Sequence, residues 1–266
     1  MGTHVAVALA EALDGMPALQ VLKLTGNHIP TYAMDRIVAR LPPSITELFL
    51  GQNSAPSVKL LAQTMIALRN LRVLDLDVAY SIMDWGVVAD ALALCKHLEQ
   101  LTVMSSYYIL QGLPEQLRRL HLQGGVRQSE LNLLHRLQQL QILELHVVSC
   151  DSNAALCVAE LIRSLPHLTK LDMRAFLLDS TAANQAVLES AVLCHVAAPW
   201  LSGTAVKHLR LNRTLQQHLT RLACLVLASR RNQKVRRPCP TLPPELWFMI
   251  AAEFLPPKDH PRPALT

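Results

Sequence analysis

The sequence is poor in aromatic residues, charged residues and glycine. Aromatic residues make up 4% and charged residues 17% of the 266 residues, whereas hydrophobic residues make up 51%. A chain of this composition buries enough apolar surface to fold, which excludes an intrinsically disordered protein. The nine glycines form no phosphate-binding loop, dinucleotide fingerprint or nucleophile elbow, so the sequence predicts a protein that is not an enzyme.

The sequence also lacks the residue spacing that metal sites and membrane spans require. Its six cysteines include no Cys-x-x-Cys pair and no histidine at zinc-ligand spacing. We therefore expect reduced thiols, no metal and no other cofactor. The longest uncharged stretch, Ser190 to Val206, has seventeen residues and contains Pro199, which makes it a poor membrane span. No basic segment precedes the first apolar residues, so a secretory signal is not expected.

Leucine, in contrast, is abundant, with 51 copies. It recurs in the pattern L-x-x-L-x-L-x-x-N-x-L, which runs from Leu19 to Ile29 and again, with Ile and Ala at its ends, from Ile45 to Ala55. Further copies begin at Leu71, Leu98, Leu117, Leu140 and Leu168, and a weaker one begins at Val206. Successive starts are 26, 26, 27, 19, 23, 28 and 38 residues apart. All but the last spacing fit a repeat of roughly 20 to 29 residues.

These motifs resemble those of the leucine-rich repeat family, in particular its ribonuclease-inhibitor-like, intracellular kind. The resemblance covers about Thr3 to Thr214 and implies an α/β solenoid, a horseshoe with a parallel concave sheet and a helical convex face. Side-chain alternation independently directs both leucines of each L-x-L to one face, where they stack on those of neighbouring repeats. The segments between the strands have helical apolar spacing. Pro114 and the 19-residue repeat predict an interruption of the helices near residues 107–116.

Asparagine at the ninth position of the repeat suits a tight turn, because its amide can satisfy backbone groups. Asn27 and Asn53 keep this residue. The later repeats carry other residues there, namely Ala79, Ser106, Gly125, Val148 and Phe176. We therefore expect the turns of the later repeats to differ from those of the first two.

A binding surface is expected on the concave face, where the third, fifth and seventh residues of each repeat point away from the core. These positions are free to serve a protein partner because they do not fill the interior. The candidate partner-binding residues are Glu47, Phe49, Asp75, Asp77, Met104, His121, Glu144, His146, Asp172 and Arg174.

Three groups of these candidates have alternative interpretations. Glu47, Asp75 and Asp77 form either an acidic patch that receives basic side chains or an ordinary solvated surface. The apolar candidates, Phe49 and Met104, are either partner anchors or local packing residues. Two histidines and a glutamate, His121, His146 and Glu144, lie on adjacent strands, and a cross-strand hydrogen-bonded pair explains them as well as acid–base chemistry or a metal site does.

The charge distribution separates a body from a tail. Residues 1–205 contain fourteen basic and seventeen acidic residues, whereas residues 206–266 contain eleven basic and three acidic ones. We therefore predict a repeat domain over residues 1–214 and a basic helical extension over residues 215–266. The extension has helical spacing from Leu215 to Leu227, a basic turn at Arg230 to Arg237, and an amphipathic, proline-started helix from Leu242 to Leu255.

The Leu-Pro-Pro-Glu-Leu segment that begins at Leu242 resembles the first helix of an F-box, which docks on the Skp1 adaptor of cullin ubiquitin ligases. The extension as a whole, from Thr214 through this Leu-Pro motif, also resembles a SOCS box, which recruits elongins and a cullin. Both resemblances imply a substrate-recognition subunit of a ligase. The residues expected to dock an adaptor are Leu242, Pro243, Leu246, Trp247, Ile250 and Phe254.

Two alternatives to the ligase hypothesis stay open. In the first alternative, the extension is a helical cap that covers the last repeat of a stand-alone scaffold or inhibitor. The basic turn also fits a nucleic-acid or nuclear-import patch, although it has no interleaved aromatic residue, so nucleic-acid binding is the less favoured partner class. The expected location is the cytoplasm, with nuclear import through this turn as the alternative, and no membrane partner is expected.

Overall fold

The computed structural model of the chain describes residues 3–77, 84–104, 106–147, 154–173, 181–197 and 202–231. The chain divides into two units, Met1–Asn212 and Arg213–Thr266. All the strands and most of the helices of the described residues belong to the first unit. The described part of the second unit, residues 213–231, is helical.

The described residues of the first unit contain eight short strands, which form one parallel sheet in chain order. The strands are β1 Val21–Lys23, β2 Glu47–Phe49, β3 Val73–Leu76, β4 Gln100–Met104, β5 Arg119–Val126, β6 Ile142–Val147, β7 Lys170–Met173 and β8 His195–Ala197. Each strand pairs with the next one along the chain. The predicted α/β class, with a parallel sheet whose strands alternate with helices, is therefore confirmed.

Helices precede the first strand and follow each of the strands. They are α1 Thr3–Leu13, α2 Thr31–Val38, α3 Val58–Ala67, α4 Trp85–Leu94, α5 Tyr107–Gly112, α6 Gln128–Leu131, α7 Ala154–Ser164, α8 Thr181–Glu189 and α9 Gly203–Arg231, and a 3₁₀ helix spans Asn132–Arg136. Their apolar side chains, such as Met34, Ile37 and Leu61, are buried in one core with the strand leucines. Helices and leucines therefore cover the same face of the sheet.

The leucines of the repeats stack in a row across the sheet. The fourth residue of each repeat pairs with its counterpart in the next strand, in the order Leu22, Leu48, Leu74, Leu101, Leu120, Leu143, Leu171 and Val196. Each of these side chains is at most 8% exposed. Burial of one such side chain stabilises the fold by about 1.5–3 kcal/mol, so this row supplies a large part of the driving force for folding.

A second row of backbone contacts runs along the edge where the strands begin. There, the second residue of each repeat donates its N–H to the carbonyl of the second residue of the preceding repeat. Examples are Arg72 to Thr46 at 2.8 Å and Arg118 to Glu99 at 2.8 Å. We call this edge the strand-entry edge; its row consists of Gln20, Thr46, Arg72, Glu99, Arg118, Gln141, Thr169 and Cys194.

Asn53 holds the turn after β2 in the way that the pattern predicted. Its side-chain amide is 4% exposed and donates to the carbonyls of Leu24, Leu50 and Gly51, while its Oδ1 accepts the N–H of Ile29 at 2.9 Å. One side chain thereby joins two consecutive repeats. The amide of Asn27 donates to Leu24 and Thr25 within its own turn.

The eighth repeat does not begin at Val206, and this prediction was wrong. Residues 203–231 form α9, and the eighth strand is β8, which follows Leu193. Leu193 is fully buried and stands 25 residues after Leu168. The pattern was missed because valine and alanine replace leucine at the inner positions of this repeat. Val196 nevertheless pairs with Leu171 and is buried.

The predicted interruption of the helices near residues 107–116 is also wrong. Helix α5 occupies six of these residues, and Ser106 starts it by accepting the N–H of Ile109 at 3.3 Å. A side-chain cap allows a helix of little more than one turn to fit into the 19-residue repeat. The helical side is irregular in the next repeat instead, where the four-residue α6 and a 3₁₀ helix share the available length.

The amino-terminal part of α9 closes the end of the repeat array. Ala205 and Leu209 are buried in the same core as Leu193. Asn212, 5% exposed, donates its amide to the carbonyls of Ser190 and Leu193 at 2.9 Å each. The capping contacts therefore come from residues 203–212, which precede the predicted extension.

Among the cysteines that the structure describes, Cys95 is buried. Its thiol lies 3.3 Å from the carbonyl oxygen of Ala91. Burial raises the pKa of Cys95 to about 11, so this thiol stays protonated at neutral pH. Cys157 and Cys194 are partly exposed.

Candidate functional site

The face of the sheet opposite the helices carries two rows of side chains, the third and fifth residues of the repeats, which we call the open sheet face. The third-position row is Val21, Glu47, Val73, Gln100, Arg119, Ile142, Lys170 and His195. The fifth-position row is Lys23, Phe49, Asp75, Thr102, His121, Glu144 and Asp172. Strand pairing therefore places the predicted candidates of neighbouring repeats side by side.

Phe49 is half-buried on this face, and the Lys23 ammonium lies over its ring, 5.0 Å from the centroid. A cation placed there is attracted to the negative face of the ring, and such a contact is worth about 0.5–1 kcal/mol at an exposed site. The contact fixes the aromatic side chain against the adjacent strand. Phe49 thus presents a preorganised apolar surface next to a positive charge.

Asp75 is the centre of the predicted acidic group. Its carboxylate accepts the N–H of Asp77 at 3.0 Å and the hydroxyl of Thr25 at 3.4 Å. Burial raises the pKa of Asp75 above its ordinary value of 3.8, and the neighbouring Asp77 charge also raises it, although the two hydrogen bonds oppose the shift. Glu47, the third member, lies one strand away at the start of β2 and is half-buried.

Gly51 makes room for this carboxylate. A Cβ atom built at residue 51 would stand 2.7 Å from Oδ2 of Asp75, which is closer than any side chain tolerates. The seventh position of the second repeat must therefore stay without a side chain if Asp75 is to keep its place. This requirement links a glycine in one repeat to an acidic residue in the next.

His121, Glu144 and Lys170 form a charged group across three strands. Nδ1 of His121 lies 3.9 Å from Oε2 of Glu144, and the Lys170 ammonium donates to the other carboxylate oxygen, Oε1. Each side chain is about one third exposed, with 33%, 29% and 34% of its surface accessible. Since Glu144 already pairs with a lysine, its carboxylate is suited to fixing neighbouring side chains and to contacting a partner rather than to removing a proton.

A groove of about 310 Å³ crosses the open sheet face and connects these groups. It runs from Phe49 and Asp75, past Thr102 and His121, to Lys170. Its floor contains the backbone and side chains of β3 to β6. The groove is mixed in character, with the ring of Phe49, the carboxylates of Asp75 and Glu144, and the cations Arg119 and Lys170 along it.

Four predicted residues are placed differently or lie outside the description. Asp172, predicted to face outward, is 5% exposed and therefore buried, because repeat position gives the direction of a side chain and not how far its neighbours cover it. His146 lies opposite Gly125 rather than Gln123, since β5 contains two extra residues in its pairing with β6. Met104 is half-buried, and its terminal carbon, Cε, lies 3.0 Å from the position that a Cβ atom would take at Gly124. Arg174 lies outside the described residues.

The candidate residues of the extension also lie outside the described residues. They are Leu242, Pro243, Leu246, Trp247, Ile250 and Phe254, together with the basic turn after Arg231.

The sequence analysis missed three cations of the open sheet face, Lys23, Arg119 and Lys170. All three occupy third or fifth positions of their repeats, so the repeat pattern itself could have found them. Apart from the Gly124-Gly125 pair, no feature of the sequence indicates that β5 contains two extra residues.

Within the described residues, no group of three or more His, Cys, Asp or Glu side chains is arranged to hold a metal ion. In the same residues, no helix combines the length and the apolar character needed to span a membrane. No family model and no curated protein matches the chain.

Proposed function

We propose that this chain is a leucine-rich-repeat protein of the ribonuclease-inhibitor-like kind, a horseshoe whose open sheet face binds a protein partner without catalysis. The observation that carries the proposal is the unbroken order of parallel strands from β1 to β8. This order sets one row of half-exposed side chains after another on a single face. Extended surfaces of this kind are how repeat proteins bind macromolecules.

The chemistry of the groove supports a protein as the partner. Phe49 offers an aromatic anchor, and anchors of this type dominate protein–protein binding energy. Arg119 and Lys170 on one side and Asp75 on the other offer charges of both signs, which select partners with complementary charge. A small-molecule site would instead be a concave, mostly apolar pocket that encloses its ligand.

Site-specific photo-crosslinking tests this proposal on the full chain. In the test variant, a photoreactive amino acid replaces Thr102, in the middle of the groove. In the control variant, it replaces Lys59, which is exposed on α3. In a lysate of the source cells, we expect one crosslinked protein at position 102 and none of it at position 59. The double variant Phe49→Ala, Lys170→Glu should remove at least about 90% of this crosslink if the hot-spot residues lie in the groove.

Two outcomes would contradict the proposal. One is crosslinking of the same protein from both positions. The other is a crosslink at position 102 that is unchanged in the double variant, because binding would then not depend on the groove. Circular dichroism of the double variant shows whether its fold is intact, and Lys170→Gln serves in its place if it is not.

For the extension, we propose that the segment Leu242 to Leu255 docks a cullin-ligase adaptor, so that the protein bound on the open sheet face becomes a ligase substrate. The support is the Leu-Pro-Pro-Glu-Leu sequence and the apolar stripe of Leu246, Ile250 and Phe254. Since cullin ligases work inside the cell, this proposal places the protein in the cytoplasm or nucleus.

Purified adaptors test the docking proposal directly. We expect the full chain to bind either Skp1 or the elongins in an isothermal titration, and we expect Leu246→Glu to abolish the binding. Thr241→Glu, just outside the apolar stripe, is the matched control and should bind normally. If neither adaptor binds the full chain, the extension is not a ligase-docking segment, and a capping or nucleic-acid role for it takes precedence.

A further inference from the structure

The strand-entry edge contains a cleft of about 600 Å³ that is lined by polar and charged residues. The cleft is formed by Thr46, Asn70, Arg72, Lys96, His97, Glu99, Gln116, Arg118 and Gln139. These residues include no Phe, Trp, Tyr or aliphatic side chain, and the imidazole of His97 is their one aromatic ring. A surface of this kind does not serve hydrophobic docking and must recognise its partner through charge and hydrogen bonds.

The cations of the cleft are not balanced by the carboxylates around them. Arg72 pairs with Glu99, whose Oε1 lies 2.6 Å from Nη2 of the arginine. Lys96 and Arg118 are exposed, and among the described residues neither has a carboxylate at ion-pair distance. Two positive charges therefore remain available to a ligand.

The backbone fixes where these cations stand. Arg72, Glu99 and Arg118 are consecutive members of the row along the strand-entry edge. Neighbouring strands are about 4.8 Å apart, so the two arginines are held roughly 10 Å apart by the sheet itself. Lys96 lies on the turn that leads into Glu99. The cleft thus presents cations on a rigid frame, which lowers the entropy cost of binding.

This concentration of positive charge contrasts with the body of the chain, since residues 1–205 contain three more acidic than basic residues. The net charge of the body therefore does not account for the positive charge of the cleft. Local charge of one sign attracts a partner of the opposite sign and raises the rate of association.

We propose that the cleft at the strand-entry edge binds an acidic peptide segment, rich in Asp and Glu, of a protein partner. Carboxylate side chains spaced along an extended peptide match the two available cations, Lys96 and Arg118, which precede the successive strands β4 and β5. A single-stranded nucleic acid is the less suitable ligand, because its bases stack on aromatic side chains and the cleft has no Phe, Trp or Tyr and only one imidazole, that of His97. This surface is separate from the open sheet face, and the proposal does not depend on the function proposed for that face.

Binding of a fluorescent hexaglutamate peptide to the full chain, measured by anisotropy, tests the proposal. We expect the double variant Lys96→Glu, Arg118→Glu to bind about tenfold more weakly than the wild type. The matched control is Arg36→Glu, Lys59→Glu, which makes the same change of charge at exposed positions of α2 and α3. It should change the affinity less than about twofold, because surface pairs far apart are screened by salt.

The basic segment from Arg230 to Arg237 is present in every variant, so the comparison of the two double variants isolates the cleft. An equal loss of affinity in both would overturn the proposal, because binding would then follow net charge alone. A cleft-dependent loss for oligothymidylate but not for hexaglutamate would overturn it in favour of nucleic acid. If the charge-reversed variant does not fold, Lys96→Gln, Arg118→Gln is used, with an expected loss of about threefold.

Discussion

Strands β1 to β4 pair without a register shift, whereas the pairing between β5 and β6 shifts between Leu122 and Gly125. The first repeats have nearly equal lengths of 26, 26 and 27 residues, and the later ones range from 19 to 28. In the regular half, Asn53 holds the turn through hydrogen bonds to two repeats. In the irregular half, the corresponding position is Gly125, next to Gly124 with a φ of 76°.

The second and fifth repeats differ in the residue at the ninth position. In the second repeat this residue is Asn53, which is buried, and its amide provides for the backbone groups of the turn after β2. Where glycines replace it, the chain accommodates extra residues in β5, since glycine adopts a positive φ at little cost. The leucine row is unaffected and crosses the irregular point without interruption. Core packing and turn chemistry are therefore separable in this fold.

The substitution Asn53→Ala tests this comparison and has the largest expected effect on stability. It would remove the partner of the buried N–H of Ile29 and one donor to the carbonyl of Leu50, whereas the carbonyl of Leu24 would keep the amide of Asn27, so we expect a loss of about 4 kcal/mol in the free energy of unfolding. Asn27→Ala, which removes the bonds of a more exposed amide to Leu24 and Thr25, should cost about 1 kcal/mol. Urea unfolding followed by circular dichroism measures both values. Similar losses for the two variants would refute a role for Asn53 in joining repeats.

A second test concerns the junction between the two halves, where the 19-residue repeat brings α5 close to α4. A Cβ at Gly112 would lie 2.6 Å from Cα of Ala89 and closer still to its carbonyl oxygen. Because a backbone cannot move aside like a side chain, we expect Gly112→Ala to cost about 3 kcal/mol in unfolding experiments. Gly203→Ala, with nothing within 4 Å of the added atom, is the control. A loss below about 1 kcal/mol for Gly112→Ala would mean that the two helices separate easily.

The smallest expected effect concerns Asp75, on the regular half. Because burial raises the folded-state pKa above 3.8, the charged carboxylate destabilises the native state, and this cost develops as pH rises from the unfolded pKa through the folded one. Asp75→Asn should therefore gain stability relative to the wild type over that interval, by roughly 0.5 kcal/mol after allowance for solvent screening. Thermal unfolding at a series of pH values from about 3 to 7 measures the difference. A difference that stays constant with pH would exclude this explanation.

The repeat pattern allowed most of the sheet to be predicted. Leucine spacing placed seven of the strands, and side-chain alternation correctly separated core-facing residues such as Leu48 and Leu74 from outward-facing ones such as Phe49 and Asp75. The eighth strand was not predicted at its actual position because Val196, which is apolar, stands where the pattern requires a leucine. Helix α5 was not predicted because a 19-residue repeat was expected to have too little room for a helix. Its formation depends instead on the cap at Ser106.

The candidate sites were less predictable, and the reason is geometric. Repeat position tells which way a side chain points, but the burial of Asp172 and the pairing of Glu144 with Lys170 depend on what the adjacent repeats contribute. The strand-entry cleft combines residues from five segments, those that precede β2 to β6, and none of these segments has a distinctive motif. Only the alignment of second positions, visible once the backbone contacts between Arg72, Glu99 and Arg118 are known, brings its charges together.

The pairing of each strand with the next one along the chain also has a consequence for folding. Each new pair closes a loop of only about one repeat, so the entropy lost at each step is small and nearly the same. Once two or three neighbouring repeats have formed, addition of the next one on either side is favourable, and the ordered region grows outward as in a one-dimensional lattice. The sheet can therefore grow without first bringing the distant ends of the chain together, as sheets with long-range strand pairing must.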